Sequence, residues 1–140
     1  MIPVLQTQFY DPTMPVDEQR GNCLQAALAS LLDLSLEDVP HFVQDHVNHD
    51  GDNVHEWNWW HCMRKWLKSR GFYIISAGTR APEPGEYVLA TGPSPRGKGI
   101  HHVVISLDGL LAHDPHPDGT GLMSVDHVYM IRPHETEESI

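Results

Sequence analysis

Three residues able to do nucleophilic chemistry follow one another along the chain: a cysteine, a histidine and an aspartate. Cys23 opens the apolar, helix-patterned run of residues 23–32. A thiol at a helix start faces free backbone amides and the positive end of the helix dipole, which predicts a thiolate. His102 begins a strand-like run, and Asp114 follows the turn after it. A sulfur, an imidazole and an acid in this order predict a thiol enzyme.

Two adjacent histidines compete for the role of base. On a strand, His101 and His102 point to opposite faces, so one of them can face Cys23, and spacing alone does not choose between them. An Asp-Gly pair at 108–109 predicts a tight hairpin, which brings Asp114 within reach of the preceding strand. There the acid would fix the imidazole tautomer and stabilise an imidazolium.

Each of these residues also has a structural explanation when taken singly. Cys23 could be a small buried residue, His102 a hydrogen-bonded strand residue and Asp114 a turn acid before proline. The enzyme hypothesis therefore rests on the three together. The second cysteine, Cys62, shares a helical face with large apolar side chains such as Trp66, which predicts an inert core thiol. Nothing indicates an oxidising compartment, so both thiols are expected to be free.

The elements that must position these residues come as helices first and strands second. Periodicity predicts helices over 23–33 and 56–69, with a short helix after Ser35 and Gly71 capping the longer one. This order indicates the α+β class, with N-terminal helices packed on an antiparallel sheet in a single domain, 1–140. Residues 1–20 are predicted as a strand and a loop, and 132–140 as a frayed acidic tail. The predicted strands are 4–9, 72–75, 86–90, 101–107, 110–113 and 125–131.

Charge and composition exclude several classes of protein. Nine basic residues stand against nineteen acidic ones, a net charge of −10. Nucleic-acid binding needs concentrated Lys and Arg, so nucleic acid is not an expected partner. The sequence shows no apolar run of membrane-spanning length and no basic-then-apolar signal pattern, which predicts a cytoplasmic globular protein without membrane association.

Three motifs together resemble the papain-like cysteine peptidases. They are Gly-Asn-Cys leading an Ala/Leu helix, the strand start at 102–105, and His-Asp-Pro-His-Pro at 113–117. The likeness spans about Val4 to Pro117 and is to small bacterial and phage versions, near the peptidases that process bacteriocin leaders. It implies a papain-like fold with Cys23 as nucleophile, His102 as base and Asp114 as orienting acid. It also implies cleavage or transfer at an amide, isopeptide or thioester bond of a peptide, protein or small amide, with no cofactor and no metal.

The oxyanion residue departs from the family pattern. The family has a glutamine about six residues before the cysteine, where this chain has Asp17. Gln6 and Gln19 are both candidates for that role.

Two other functions compete with the enzyme hypothesis. One is a catalytically inactive papain-like fold that serves as a binding module. The other is a metal-binding protein, because zinc accepts histidine and carboxylate ligands. No HExxH or paired CxxC motif accompanies the histidines, which favours solvated side chains. The two histidine-rich groups are His41, His46, His49, Asp50, Asp52, His55 and His61, and His113, Asp114 and His116.

Overall fold

The computed structural model describes residues 1–11, 13, 21–43, 56–97 and 99–134. Within these ranges the chain forms two α-helices, one 3₁₀ turn and an antiparallel sheet, so the predicted α+β class is confirmed. Residues 44–55 and most of the predicted acidic tail lie outside the described residues. The elements are α1 (Cys23–Leu32), the 3₁₀ turn (Leu36–Asp38), α2 (Glu56–Ser69), β1 (Phe72–Ser76), β2 (Tyr87–Pro93), β3 (His101–Leu107), β4 (Leu110–His113) and β5 (His127–Pro133).

One five-stranded sheet holds all the strands, in the order β1-β5-β2-β3-β4. The last strand of the chain inserts between β1 and β2. The β3–β4 hairpin turns at Asp108 and Gly109, both with positive φ, as the Asp-Gly pair predicted. Between Ile105 and Ser106 the register shifts, because Ile105 pairs with His113 while Ser106 pairs with Leu111. This β-bulge bears directly on the site.

The helices cover one face of the sheet. In α1 the small side chains of Ala26, Ala27 and Ala29 are fully buried together with Leu28, and this helix contacts β3. From α2, Met63 and Leu67 pack into the same core. The sheet contributes alternate residues to this core, as expected for a face that packs against helices. These residues include Phe72, Ile74, Tyr87, Leu89, Val103, Ile105, Tyr129 and Ile131.

The predicted N-terminal strand over 4–9 is wrong. Residues 1–6 belong to no ladder, because α1 and a loop supply partners for their backbone N–H groups. The N–H of Val4 donates to Oγ of Ser30 at 2.8 Å, and the N–H of Gln6 donates to the carbonyl of Pro115 at 2.9 Å. Val4 is half-buried, whereas Leu5 and Phe9 are exposed.

Several strand boundaries also differ from the prediction. β2 continues to Pro93, past its predicted end at residue 90, and β5 covers His127–Pro133 and not 125–131. Residues 132 and 133 therefore belong to the sheet and not to the predicted tail. Residues 122–126 instead cross the end of β2. The N–H of Met123 donates to the carbonyl of Pro93 at 2.9 Å, and that of Asp126 to the carbonyl of Thr91 at 2.8 Å.

No helix in the described ranges is both long and apolar enough to cross a bilayer.

Gly92 is where this crossing demands a glycine. A Cβ at Gly92 would lie 2.0 Å from the backbone oxygen of Ser124, a clash that only backbone movement can relieve. We expect Gly92→Ala to lower the free energy of unfolding by at least about 1–3 kcal/mol, the usual cost of overpacking. Urea unfolding measures this loss. Gly78→Ala is the matched control, because its Cβ would meet nothing closer than 3.5 Å. Equal stability of the two variants would contradict the proposed crossing.

Candidate active site

A buried hydrogen bond joins His102 to Asp114. The two side chains meet with Nε2 of His102 2.5 Å from Oδ1 of Asp114, and both residues are more than nine-tenths buried. The ionised carboxylate can only accept, so the imidazole donates from Nε2 and keeps Nδ1 as an acceptor. His101 points away, with a side chain 74 % exposed and Nε2 3.8 Å from Asp126. The structure thus brings His102, and not His101, to the predicted acid.

The β-bulge in the β3–β4 hairpin decides which face Asp114 occupies. A regular two-residue hairpin would place Asp114 opposite Val103, on the face away from His102. The bulge adds Ala112 to β4 and pairs His113 with Ile105, so extending this register by one residue places Asp114 beside Val104. Val104 and His102 share a face, which brings the acid diagonally to the imidazole.

Asp114 is held as an anion by several donors. Oδ1 also accepts from the N–H of His116 at 2.9 Å, and Oδ2 accepts from the N–H of Gly121 at 2.8 Å. Burial alone would raise the pKa of Asp114, but the hydrogen bonds from His102 and these two amides outweigh it and lower the pKa. The acid therefore stays ionised beside the histidine.

Cys23 lies at the first turn of α1, next to the strand that carries His102. The backbone N–H groups of Val103 and Leu24 both act to lower the pKa of its thiol, so they lie near Sγ. Val103 directly follows His102, so the start of α1 meets the start of β3. Cys23 is half-buried and lines the same cleft as His102.

The predicted thiolate at Cys23 is wrong in direction. Burial raises the pKa of the Cys23 thiol, and the negative charge of Asp114 adds to the rise, although the N–H groups of Val103 and Leu24 oppose it. Burial also lowers the pKa of His102, despite the hydrogen bond to Asp114. Desolvation of the Cys23 thiol therefore outweighs the backbone N–H groups at this helix start. The resting pair is thus a neutral thiol and a neutral imidazole.

Asn22 ties the N-terminal segment to the start of α1. Its side chain does not cap the helix. Instead Oδ1 accepts from the N–H groups of Thr7 and Gln8 at 2.9 and 2.8 Å, and Nδ2 donates to Oγ1 of Thr7 at 3.0 Å and to Oε1 of Gln25 at 3.2 Å. Asn22 is 2 % exposed, so this link is shielded from water. It fixes the segment that carries Gln6.

Gln6 faces the same cleft as Cys23. It is buried, and its Nε2 donates one hydrogen bond to the carbonyl of Gln8 at 2.9 Å. Its Oε1 is buried without a hydrogen-bond partner among the described residues. The other oxyanion candidate, Gln19, lies outside the described residues.

Sequence reasoning missed Arg96 and assigned no catalytic role to His116. Nη1 of Arg96 donates to Oδ1 of Asp118 at 2.7 Å and to Oγ1 of Thr120 at 2.6 Å. The ring of His116 lies edge-on to Phe9, with centroids 5.0 Å apart, and its centroid is 6.4 Å from that of His102. The sequence signal that could have identified Arg96 was its position in the loop just before the paired histidines. Its partners lie too far along the chain for spacing to reveal.

The cleft has a volume of about 1050 Å³. Its reactive end holds Cys23, His102 and Gln6, with Arg96 and His116 beside them, and Asp114 is buried behind His102. An apolar wall formed by Leu24, Trp59, Trp60, Leu89 and Tyr129 continues from this end.

The described residues hold no group of three side chains placed to bind a metal. Nε2 of His113 contacts the carbonyl oxygen of Val4 at 2.8 Å. Residues 44–55, which contain much of the predicted histidine-rich group, lie outside the described part of the chain. Cys23 and Cys62 are both free, and Cys62 packs against the core as predicted.

The lowered pKa of His102 has a consequence for stability. The unfolded chain, with a histidine pKa of about 6.5, binds the proton more readily than the folded protein, so stability falls as pH drops below that value. We expect His102→Gln to make this loss shallower, by up to about 1.4 kcal/mol per pH unit. Urea unfolding between pH 7 and 5 measures the slope. The control His101→Gln should retain the wild-type slope, and an unchanged slope in His102→Gln would contradict the assignment.

Comparison of the chain with protein-family models, curated proteins and solved structures finds no match. Function is therefore argued from the residues and the geometry of this cleft.

Proposed function

We propose that this protein is a papain-like thiol hydrolase in which Cys23, His102 and Asp114 form the catalytic triad. The observation that carries the proposal is the buried His102–Asp114 hydrogen bond, which begins on a strand start that lines the same cleft as Cys23. A histidine whose Nε2 is held by a carboxylate offers Nδ1 to a nucleophile. A thiol enzyme needs a histidine with one ring nitrogen held by the acid and the other able to accept the thiol proton.

The first step follows from the neutral resting pair. As Sγ of Cys23 attacks a carbonyl carbon, the thiol proton passes to Nδ1 of His102, and a C–S bond forms while the carbonyl π electrons move to oxygen. Asp114 stabilises the imidazolium without taking its proton. His102 then donates that proton to the leaving amine or thiol, and the C–N or C–S bond breaks to give an acyl-enzyme.

Water or an acceptor amine completes the reaction. His102, neutral again, removes a proton from the incoming nucleophile, and the thiol leaves with that proton restored. The oxyanion of each tetrahedral intermediate needs preorganised donors. The amides at the start of α1 and the amide group of Gln6 are suited to this, since Nε2 carries two N–H groups and Gln8 accepts one.

The bond types open to this mechanism are amides, isopeptides and thioesters. Each presents a carbonyl carbon and a leaving group that His102 can protonate. The apolar wall beside Cys23 suits an acyl portion that carries an apolar group, since burying it there is favourable. A peptide, a protein or a small amide meets this description.

One observation favours a second function, an inactive binding module. The raised pKa of the Cys23 thiol leaves it protonated at neutral pH unless His102 takes its proton during attack. If His102 does not take this proton, the cleft would bind a ligand without turnover.

Thiol labelling separates the two functions. We expect iodoacetamide to modify Cys23 at least tenfold faster than Cys62 near pH 7.5, because His102 can accept the thiol proton. His102→Gln should remove this advantage, and mass spectrometry of the labelled peptides measures both rates. Cys23→Ala should abolish hydrolysis of acyl electrophiles and keep the fold, whereas Cys62→Ala should retain activity. A slow Cys23 in the wild-type protein would support the binding module.

The oxyanion role of Gln6 is testable in the same assay. We expect Gln6→Met to lower kcat by about 10²–10³-fold with a small effect on KM, because it removes a donor used in the transition state. The matched control Gln8→Met changes an exposed neighbouring residue and should leave kcat near the wild-type value. Equal kcat values for the two variants would exclude Gln6 from the oxyanion hole.

A further inference from the structure

Arg96 connects the two loops that flank the His102–Asp114 pair. It lies in the loop between β2 and β3, just before the paired histidines, and reaches across to the segment after Asp114. Nη1 donates to Asp118 at 2.7 Å and to Thr120 at 2.6 Å. The Thr120 hydroxyl in turn contacts Oδ1 of Asp118 at 3.1 Å, so one guanidinium nitrogen joins both acceptors.

The same nitrogen is a cation near the buried carboxylate. Nη1 of Arg96 is 3.6 Å from Oδ2 of Asp114, the oxygen that accepts from the N–H of Gly121. Gly121 directly follows Thr120, which Arg96 holds. The guanidinium therefore fixes the backbone that donates to Asp114 and adds a positive charge beside that carboxylate.

We propose that Arg96 is a positioning residue that clamps residues 118–121 around Asp114 and shares the negative charge of that carboxylate with His102. The proposal goes beyond the triad and rests on the proposed function only for its effect on turnover. Its direct consequence is for the histidine. A second cation beside Asp114 makes protonation of His102 less favourable, so the base stays neutral to lower pH.

The charged and titratable groups around His102 come from several elements. Asp114, after β4, favours the imidazolium, and burial of the ring opposes it. Arg96 from the β2–β3 loop and His116 from the loop after β4 also lower the pKa of His102. Cys23 from α1 lies beside the start of the strand and is neutral at rest. Of these groups, Arg96 carries a positive charge at every pH of interest and also holds the loop.

Two variants separate the charge of Arg96 from its hydrogen bonds. Arg96→Met removes the charge at similar length, and Arg96→Lys keeps the charge without the planar fork of donors. NMR titration of the His102 ring protons reports the base directly and needs no turnover. We expect the titration midpoint to move to higher pH in Arg96→Met and to stay near the wild-type value in Arg96→Lys. Amide exchange at Gly121 should be faster in both variants, because both loosen the clamp.

The outcomes are distinct. An unmoved or lowered midpoint in Arg96→Met, or equal shifts in both variants, would overturn the electrostatic role. Unchanged exchange at Gly121 would overturn the clamp. If Arg96→Met does not fold, Thr120→Val removes one acceptor and keeps the charge. It should speed exchange at Gly121 and leave the midpoint unmoved, and any other result would overturn the proposal.

The same experiments distinguish failure of the proposed hydrolase function from failure of the role proposed for Arg96. If the protein is a hydrolase, the acidic limb of its kcat/KM profile should move to higher pH in Arg96→Met, in parallel with the NMR midpoint. If the protein is not a hydrolase, iodoacetamide should modify Cys23 slowly and no turnover should appear. The NMR titration midpoints of His102 would still test the role of Arg96. A limb that stays fixed while the midpoint moves would exclude His102 as the base and leave the role of Arg96 on Asp114 intact.

Discussion

The structure of the site depends on one constraint: a buried carboxylate must have its oxygens hydrogen-bonded. An unpaired ionised group removed from water is strongly unfavourable, whereas charge-assisted hydrogen bonds offset that cost. At Asp114 the donors are the imidazole of His102 and the amides of His116 and Gly121. Satisfying both oxygens makes the chain fold back on itself after β4. The orientation of His102, and the closure of this loop, follow from the same set of hydrogen bonds.

Two backbone features allow that closure. The bulge at Ala112 turns Asp114 onto the face of His102, and Gly92 lets residues 122–126 pass over the end of β2. Gly92 pairs with His102 across the β2–β3 ladder, so the crossing segment lies next to the base. Arg96 then joins the loop before β3 to the loop after β4. The site thus combines the start of α1 and the start of β3 with the loops that follow β2 and β4.

The protonation state of the pair follows from burial. Desolvation disfavours charge on both partners, raising the pKa of Cys23 and lowering that of His102. The backbone N–H groups of Val103 and Leu24 oppose the rise in the pKa of Cys23 without overcoming this effect. If the cleft is catalytic, the thiolate forms during attack, when the proton moves to His102, and a standing ion pair is not required. The donors around Sγ are then placed where negative charge develops.

The sequence by itself determined the helices and most strand positions, because apolar periodicity and the Asp-Gly turn are local signals. It also indicated the order of Cys23, His102 and Asp114. Tertiary structure decided the rest. The N-terminal segment that carries Gln6 became a strap held by Asn22, the bulge selected the face of Asp114, and Arg96 entered the site through partners more than twenty residues away. The charge of Cys23 also needed the fold, since desolvation depends on which neighbours exclude water, and a linear pattern of residues does not contain that information.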